Sequence, residues 1–409
     1  MAITDDTRLW PLFQQYQYVC GDGRCIVDVQ RIMKETGLTQ SVIEKSAGRW
    51  RAAGGAAARP GAVTTQTEAA RRAIEHRELT DLRQKKTLFN IVGEDVMAAV
   101  VALNPPTTRQ PIKKKKKAQH DPEEIVVMLG DMHIGSLVDQ GESGGLGAYG
   151  MTIFGQRLEF FKTSIAEILN IHLPATPCPA INLFFLGDIV DGAQIFPGHQ
   201  RQVEIHAVRQ VIEAVDSLAG FVGWLAESMG VQVNAYCVVG NHGRIGRKGE
   251  ESPLNNFDYL VYHFMKERLS RFENIEFFIS ESWWMLAERM GHRFYLTHGD
   301  DTRGWMGLPY YGLKRSADRG QRLMNDAGAN FRYYCAAHFH QTAKIDDGRI
   351  LLNGAWPGGS EFSLKSLKTA SEPSQAMFAI HPKYGVTWER TVLLDEPREK
   401  NEVKVKVYK

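Results

Sequence analysis

Cysteine is scarce in this chain, and long apolar runs are missing. Five cysteines in 409 residues, Cys20, Cys25, Cys178, Cys237 and Cys335, are too few and too scattered for a disulfide framework. Cys20 and Cys25 flank Gly-Asp-Gly-Arg, but no second Cys/His pair lies close enough to complete a metal knuckle, so the expectation is a tight turn with two reduced thiols. No window approaches the roughly 18 uninterrupted apolar residues of a membrane helix, which argues against a membrane partner. The opening MAITDDTRLW lacks the basic-then-apolar order of a signal peptide, and the default expectation is the cytoplasm. Excess charge is almost absent too: 49 Lys and Arg stand against 47 Asp and Glu, for a net +2. That balance conceals an asymmetry. Residues 1–118 carry 20 Lys and Arg against 12 Asp and Glu, whereas the remainder carries 29 against 35. A basic front segment favours an anionic partner such as nucleic acid, although charge alone does not name it.

What is present suffices for a sizeable core: 43% of residues are hydrophobic, and the length suggests two or three domains. Residues 1–50 read as a small helical module. Within Val27–Ser46, apolar Val29, Ile32 and Met33 precede a turn at Thr36-Gly37, and Leu38, Val42 and Ile43 follow at helical spacing. Two short helices around a Gly turn outline a helix-turn-helix, or equally a helical packing module through which a protein partner is engaged. Residues 51–103 form a basic helical segment. Residues 104–124, NPPTTRQPIKKKKKAQHDPEE, hold four prolines and five consecutive lysines without apolar periodicity, and read as a linker. Lys113–Lys117 could grip phosphates or simply be solvated. Residues 125–395 form the main domain and residues 396–409 a charged tail.

In the main domain the runs IVVML (125–129), INLFFL (181–186) and VQVNAYCVV (231–239) are too short for helices and too continuous for one-sided strands. They read as strands covered on both faces, in a largely α/β sheet. Helices fit over Phe154–Leu169 and Val203–Met229, and hairpins follow, with Trp284–Met290 turning at Gly291-His292 into RFYLTH, then YYCAA, RILLNG, AMFAIH and VTWERTVLL. Each of five strands runs into metal-type ligands. IVVML leads to Asp131 and His133, INLFFL to Gly187-Asp188 and Asp191, VQVNAYCVV to Gly240-Asn241-His242, RFYLT to His298 and Asp300, and YYCAA to His338 and His340. Ligands gather at the carboxyl ends of strands in open α/β sheets, so five such junctions point to one rim.

That ordered set, D-x-H, G-D-x-x-D, G-N-H, H and H-x-H, resembles the calcineurin-like metallophosphoesterase superfamily over about Ile125–His381. The resemblance implies a four-layer α/β/β/α sandwich, two packed mixed sheets flanked by helices, behind the small N-terminal module. It implies two divalent metal ions, manganese foremost with iron or zinc as alternatives. Asp131, His133, Asp188 and His340 would hold the first ion and Asp188, Asn241, His298 and His338 the second, with Asp188 bridging and His242 catalytic. Two cations about 3.5 to 4 Å apart need a shared anionic ligand, and their surplus charge, about +2 over Asp131 and Asp188, would draw in a phosphate and activate a bridging hydroxide. His242 would assist by binding a phosphoryl oxygen or protonating the leaving alkoxide. Two departures stand out: Gly243 replaces the usual acid after the catalytic histidine, and Ala337 replaces the glycine before His338. Asp191 or Asp300 would then orient His242 in place of that acid.

Superfamily members hydrolyse both mono- and diesters, so the fold does not choose the substrate. Arg244, Arg247 and Lys248 follow the catalytic histidine and Arg201 follows the second motif, a cationic border that suits a polyanion. Arg303, Trp305, Tyr310 and Tyr311 lie in a Gly/Pro-rich loop after His298, where aromatics could stack on unpaired bases or pack beneath the loop. The whole looks most like the DNA repair exonuclease (SbcD-type) branch and like metallophosphoesterases of bacteriophages, which would place it in a host cytoplasm; relatives often work as homodimers. The reading is a two-metal phosphodiesterase acting on nucleic acid, DNA foremost. A phosphomonoesterase of the protein phosphatase kind is the first alternative, and a DNA-binding factor with a structural metal site the second.

Overall fold

Local sequence decides where the elements start and stop, and a computed structural model shows the result for residues 9–19, 25–52, 93, 97–98, 120–143, 147–302, 310–358 and 372–395. The chain divides into two compact units, Met1–Leu88 and Phe89–Lys409. In the first, α1 (Trp10–Gln15) precedes the antiparallel pair β1 (Gln17–Val19) and β2 (Cys25–Val27), then α2 (Val29–Thr36) and α3 (Gln40–Ala52). Asp28 caps α2 by accepting from Arg31 N at 3.1 Å, and Gly37 ends it in the left-handed region at φ 69°, where a side chain would be strained. Phe13, Ile32, Ile43, Ala47 and Trp50 form its core. The helical pair expected around Thr36-Gly37 is thus present. Cys20, the basic segment's Glu68–Lys86, the lysine run 113–117 and the tail 396–409 lie outside the described residues.

The second unit is built on two sheets. Strands β3 (Glu124–Leu129), β4 (Ala180–Phe185), β5 (Gln232–Cys237) and β6 (Ile275–Ile279) are mutually parallel, and β12 (Ser374–His381) and β13 (Gly385–Leu393) join antiparallel, in the order β13-β12-β3-β4-β5-β6. The second sheet has the order β10-β11-β9-β8-β7, from β7 (Trp284–Arg289), β8 (His292–Thr297), β9 (Tyr333–Ala336), β10 (Ala343–Ile345) and β11 (Ile350–Leu352). Strand alternation explains the layers. Along β4, Ile181, Leu183 and Phe185 face the helices α4 (Met151–His172), α5 (Ala207–Met229) and α6 (Phe257–Arg268). Phe184 and Leu186 face the other sheet, meeting Phe294, Leu296 and Cys335. Helix α7 (Tyr310–Asp326) covers the far side of the second sheet through Leu313 and Met324. Two packed sheets flanked by helices are the expected α/β/β/α sandwich.

Two helix boundaries differ, and the helix expected over Phe154–Leu169 spans Met151–His172. The helix expected from Val203 begins at Ala207, because His199–Gln202 forms a separate 3-10 turn and Val203 bridges to Ser136. Among the described residues, no helix is long and apolar enough to cross a membrane.

Candidate metal centre

The parallel strands β3, β4 and β5 end side by side, and their following loops are stitched together by main-chain hydrogen bonds. Asp131 N donates to Gly187 O at 3.1 Å, Met132 N and His133 N to Asp188 O at 2.8 and 3.0 Å, and Asp191 N returns to Ile134 O at 3.1 Å. Strands β8 and β9 of the other sheet supply His298, His338 and His340, and Ala337 N donates to His298 O at 2.9 Å. Gly187 and Gly240 allow the closest approach: a Cβ on Gly187 would lie 2.2 Å from Gly240 N, and one on Gly240 2.2 Å from Asp188 Oδ1. Eight described non-glycine residues have positive φ, and five are Asp131, His133, Asp188, His338 and His340, at 47° to 71°. Such backbone costs about 1–3 kcal/mol per residue, so its concentration on the predicted ligands marks geometry imposed by the surrounding fold.

Two sets of electron-pair donors converge there. In the first, His133 Nδ1 hydrogen-bonds Asp191 Oδ1 at 2.9 Å, which leaves His133 Nε2 with a bare lone pair facing His340 Nε2 at 3.3 Å. Asp131 Oδ1 lies 3.9 and 3.7 Å from those two nitrogens, is fully buried, and accepts no hydrogen bond. A buried carboxylate oxygen without a donor, opposite two imidazole nitrogens, fits a cation and little else. In the second set, His298 Nδ1 is fixed by Leu186 O at 2.7 Å, so Nε2 points at Asp188 Oδ2 (3.0 Å), Asn241 Oδ1 (3.1 Å) and His338 Nδ1 (3.2 Å). The remaining Asp188 oxygen, Oδ1, accepts from His242 N at 2.6 Å. All seven predicted ligands are therefore brought together, and the oxygen and imidazole donors suit a divalent metal without selecting one.

The electrostatics agree. Burial opposes charge on His298, but Asp188 beside it and Asp131 behind override this and raise its pKa to about 10. A field that would hold a proton so firmly is one that holds a cation. Burial, with Asp188 adding to it, pushes Asp131 up to about 6, while His298 and His133 pull the other way. Burial together with protonated His298 lowers His338 to about 4, which keeps that ring neutral and fit to ligate.

A family model of calcineurin-like phosphoesterases matches residues 124–365. The chain belongs to that family. Among solved structures, this calcineurin-like phosphoesterase is similar to an archaeal phosphodiesterase, with 10% identity over 66% of this chain and 99% of the other and a TM-score of 0.29. It is also similar to zinc-bound Vps29 of Entamoeba histolytica, with 12% identity over 66% and 99% and a TM-score of 0.30. A predicted phosphoesterase of Streptococcus pneumoniae shows 11% identity over 66% and 98%, with a TM-score of 0.23. A search of curated proteins gave no match. Family membership makes the chain a metal-dependent phosphoesterase, with the Asp/His cluster as its candidate metal site.

His242 of the phosphoesterase is oriented from one side. Its Nδ1 meets Asp191 O at 3.0 Å and Asp191 Oδ1 at 3.2 Å, and its ring packs edge-on against His133 at 4.4 Å, so Nε2 is the nitrogen left for a substrate. Burial disfavours its charge, yet Asp188 and Asp191 together raise it to about 9. Asp191, one of two residues expected to orient His242, lies in contact with it. Asp300, the other, instead holds Lys248, whose Nζ is 2.8 Å from both Asp300 Oδ2 and Asp300 O. Ala337, in place of glycine, is fully buried between the sheets beside Gly130.

At the rim, Arg244 gives two N–H groups to main chain, to Asn241 O at 2.8 Å and Ile195 O at 3.2 Å. Arg201, Arg247, Lys248, Tyr310 and Tyr311 are exposed, the tyrosines at the head of α7. Arg303 and Trp305 lie outside the described residues. Two residues went unread in the sequence. His199 Nε2 hydrogen-bonds Asp191 Oδ2 at 2.9 Å, with Phe196 stacked on its ring at 4.4 Å. Asp258, in the first turn of α6, is fully buried behind Asp188. An Asn-x-Asp helix start was visible, but nothing in it said that the carboxylate turns back to the centre. The charge account also changes, since Asp191 and Asp258 join Asp131 and Asp188; Asp191 is offset by its three histidines and Asp258 by main-chain donors.

Proposed function

We propose that this phosphoesterase hydrolyses phosphodiester bonds of nucleic acid, DNA foremost, with manganese as the preferred ion. The two cations supply the positive charge that attracts a phosphate and lowers the pKa of water. The chain's own residues do the rest. Asp188, whose carboxylate lies near nitrogens of both donor sets, would bridge, and Asn241, a neutral donor, would preserve positive charge for the substrate. His242, held through Nδ1 against Asp191, presents Nε2 to a phosphoryl oxygen or to the leaving alkoxide.

The observation that favours a polyanion is the exposed pair Arg201 and Arg247. Arg201 stands on the 3-10 turn that carries His199, and Arg247 in the loop that follows His242, so cations border the centre from two segments. The smaller basic excess of residues 1–88, 14 Lys and Arg against 10 Asp and Glu, and the helical pair α2 and α3 support a recruiting role for the N-terminal unit. The test is incubation with Mn²⁺ on linear duplex and single-stranded DNA, beside p-nitrophenyl phosphate, with EDTA and His242→Ala as controls. Degradation of DNA that both controls abolish is expected. Intact DNA with rapid hydrolysis of the monoester would overturn the nuclease reading in favour of a phosphomonoesterase. DNA retention without turnover of either would favour a binding factor.

A further inference from the structure

Position 243 is glycine, and the space a side chain there would enter is already filled by Asn256 and Asp258. A Cβ built on Gly243 would lie 2.1 Å from Asn256 Oδ1 and 3.0 Å from Asp258 Cγ, so a side chain at 243 and the side chain of Asp258 would compete for one space. Asp258 fills it from the opposite direction, from the first turn of α6, where Asn256 caps the helix and accepts from Asp258 N at 2.8 Å. Its two oxygens accept four main-chain N–H groups: Oδ2 from Asp188 (2.8 Å) and Gly240 (3.0 Å), Oδ1 from Ile189 (3.1 Å) and Val190 (3.2 Å). Three of those donors belong to the G-D-x-x-D loop and one to the G-N-H loop.

We infer that Asp258 is a positioning residue for the metal centre, clamping the main chain of Asp188 and of the Gly240 turn so that both stand at their metal-binding geometry. The inference rests on the phosphoesterase reading, not on the choice of nucleic acid. Asp188 sits at φ 51°, a conformation its own sequence does not favour, and the four donors give that strained turn a fixed anchor. The α6 amino terminus adds favourable dipoles to the same charge. Asn256 Nδ2 donates to Gly240 O at 2.8 Å, so the helix start grips the Gly240 turn through both its N–H and its C=O.

The test is Mn²⁺ binding by calorimetry, with thermal unfolding in EDTA and in Mn²⁺ and turnover of p-nitrophenyl phosphate. Asp258→Asn keeps size but turns an amide NH₂ towards two N–H donors. A loss of about 10–100-fold in Mn²⁺ affinity, a smaller Mn²⁺-induced rise in Tm and a fall in kcat are expected. Gly243→Ala is the second variant, because it presses on the Asn256 cap and, behind it, on the same carboxylate without removing either; it should weaken Mn²⁺ in the same direction. Transplanting the acid, as Gly243→Asp with Asn256→Ala and Asp258→Ala, should recover part of the affinity lost in Asp258→Ala. The inference is overturned if Asp258→Asn binds Mn²⁺ as wild type does. It is equally overturned if that variant lowers Tm in EDTA while the Mn²⁺-induced rise is unchanged, since that is the signature of a scaffold role alone. Because the readouts use the ion and a monoester, failure of the DNA reading leaves the outcome independent.

Discussion

The floor of the metal centre and its cationic rim are built on opposite terms. On the floor, Asp131, Asp188, His298 and their neighbours are buried and fixed by hydrogen bonds that leave one orientation open, and Asp131 and Asp188 are strained in backbone as well. On the rim, Arg201 and Arg247 are exposed, while Arg244 and Lys248 have charges already met by Asn241 O, Ile195 O and Asp300. The difference assigns separate jobs. Buried, over-determined groups set the chemistry, and removing one should be severe. Exposed cations adjust which phosphate arrives, and their removal should be mild and sensitive to salt.

The floor is broken most completely by Asp188→Asn. A cation acting on a phosphoryl oxygen is worth several kcal/mol, which at 1.36 kcal/mol per decade is roughly 10³-fold or more in rate. Bound Mn²⁺ per chain should also fall, read by metal analysis after dialysis. His242→Gln comes next. It leaves the donor sets intact, so Mn²⁺ stoichiometry should stay at the wild-type value while kcat falls about 10²–10⁴-fold, the usual contribution of a positioned acid or base. If His242→Gln lost metal as well, the ring would be a ligand instead of a proton donor, and the division between the two roles would fail.

The same contrast governs what sequence could reveal. Five strand ends carrying Asp, His or Asn in order are legible because each ligand follows directly on an apolar run, and the structure assembles all seven predicted ligands with His242 beside them. The sandwich was legible for a related reason: strands buried on both faces, such as Ile181–Leu186, have no polar alternation to disguise them. Strand β6, an edge strand with mixed exposure, carries a weaker pattern and was not recognised. Asp258 and His199 escaped because their roles depend on long-range backtracking, from a helix start to a loop 70 residues earlier and from a 3-10 turn onto Asp191. On the rim, a run of three cations suggested one shared purpose. Only the hydrogen-bond partners separate Arg247 from Arg244 and Lys248.

That separation yields the smallest and most discriminating expectation. Arg247 is exposed and its guanidinium has no partner among the described residues, whereas Lys248 closes an exposed pair with Asp300. If DNA is the substrate, Arg247→Ala removes one phosphate contact. Affinity should weaken a few-fold near physiological salt, and the slope of log K against log salt should become shallower by about 1. Hydrolysis of p-nitrophenyl phosphate by the same variant should be unchanged, because a single small phosphate does not reach the rim. Lys248→Ala removes a surface ion pair worth about 0.2–1 kcal/mol and should leave that slope near the wild-type value. Equal slopes for wild type and both variants, measured by fluorescence anisotropy with labelled DNA, would detach the rim from polyanion binding. A monoester defect in Arg247→Ala would instead bring the rim into the centre itself and erase its contrast with the floor.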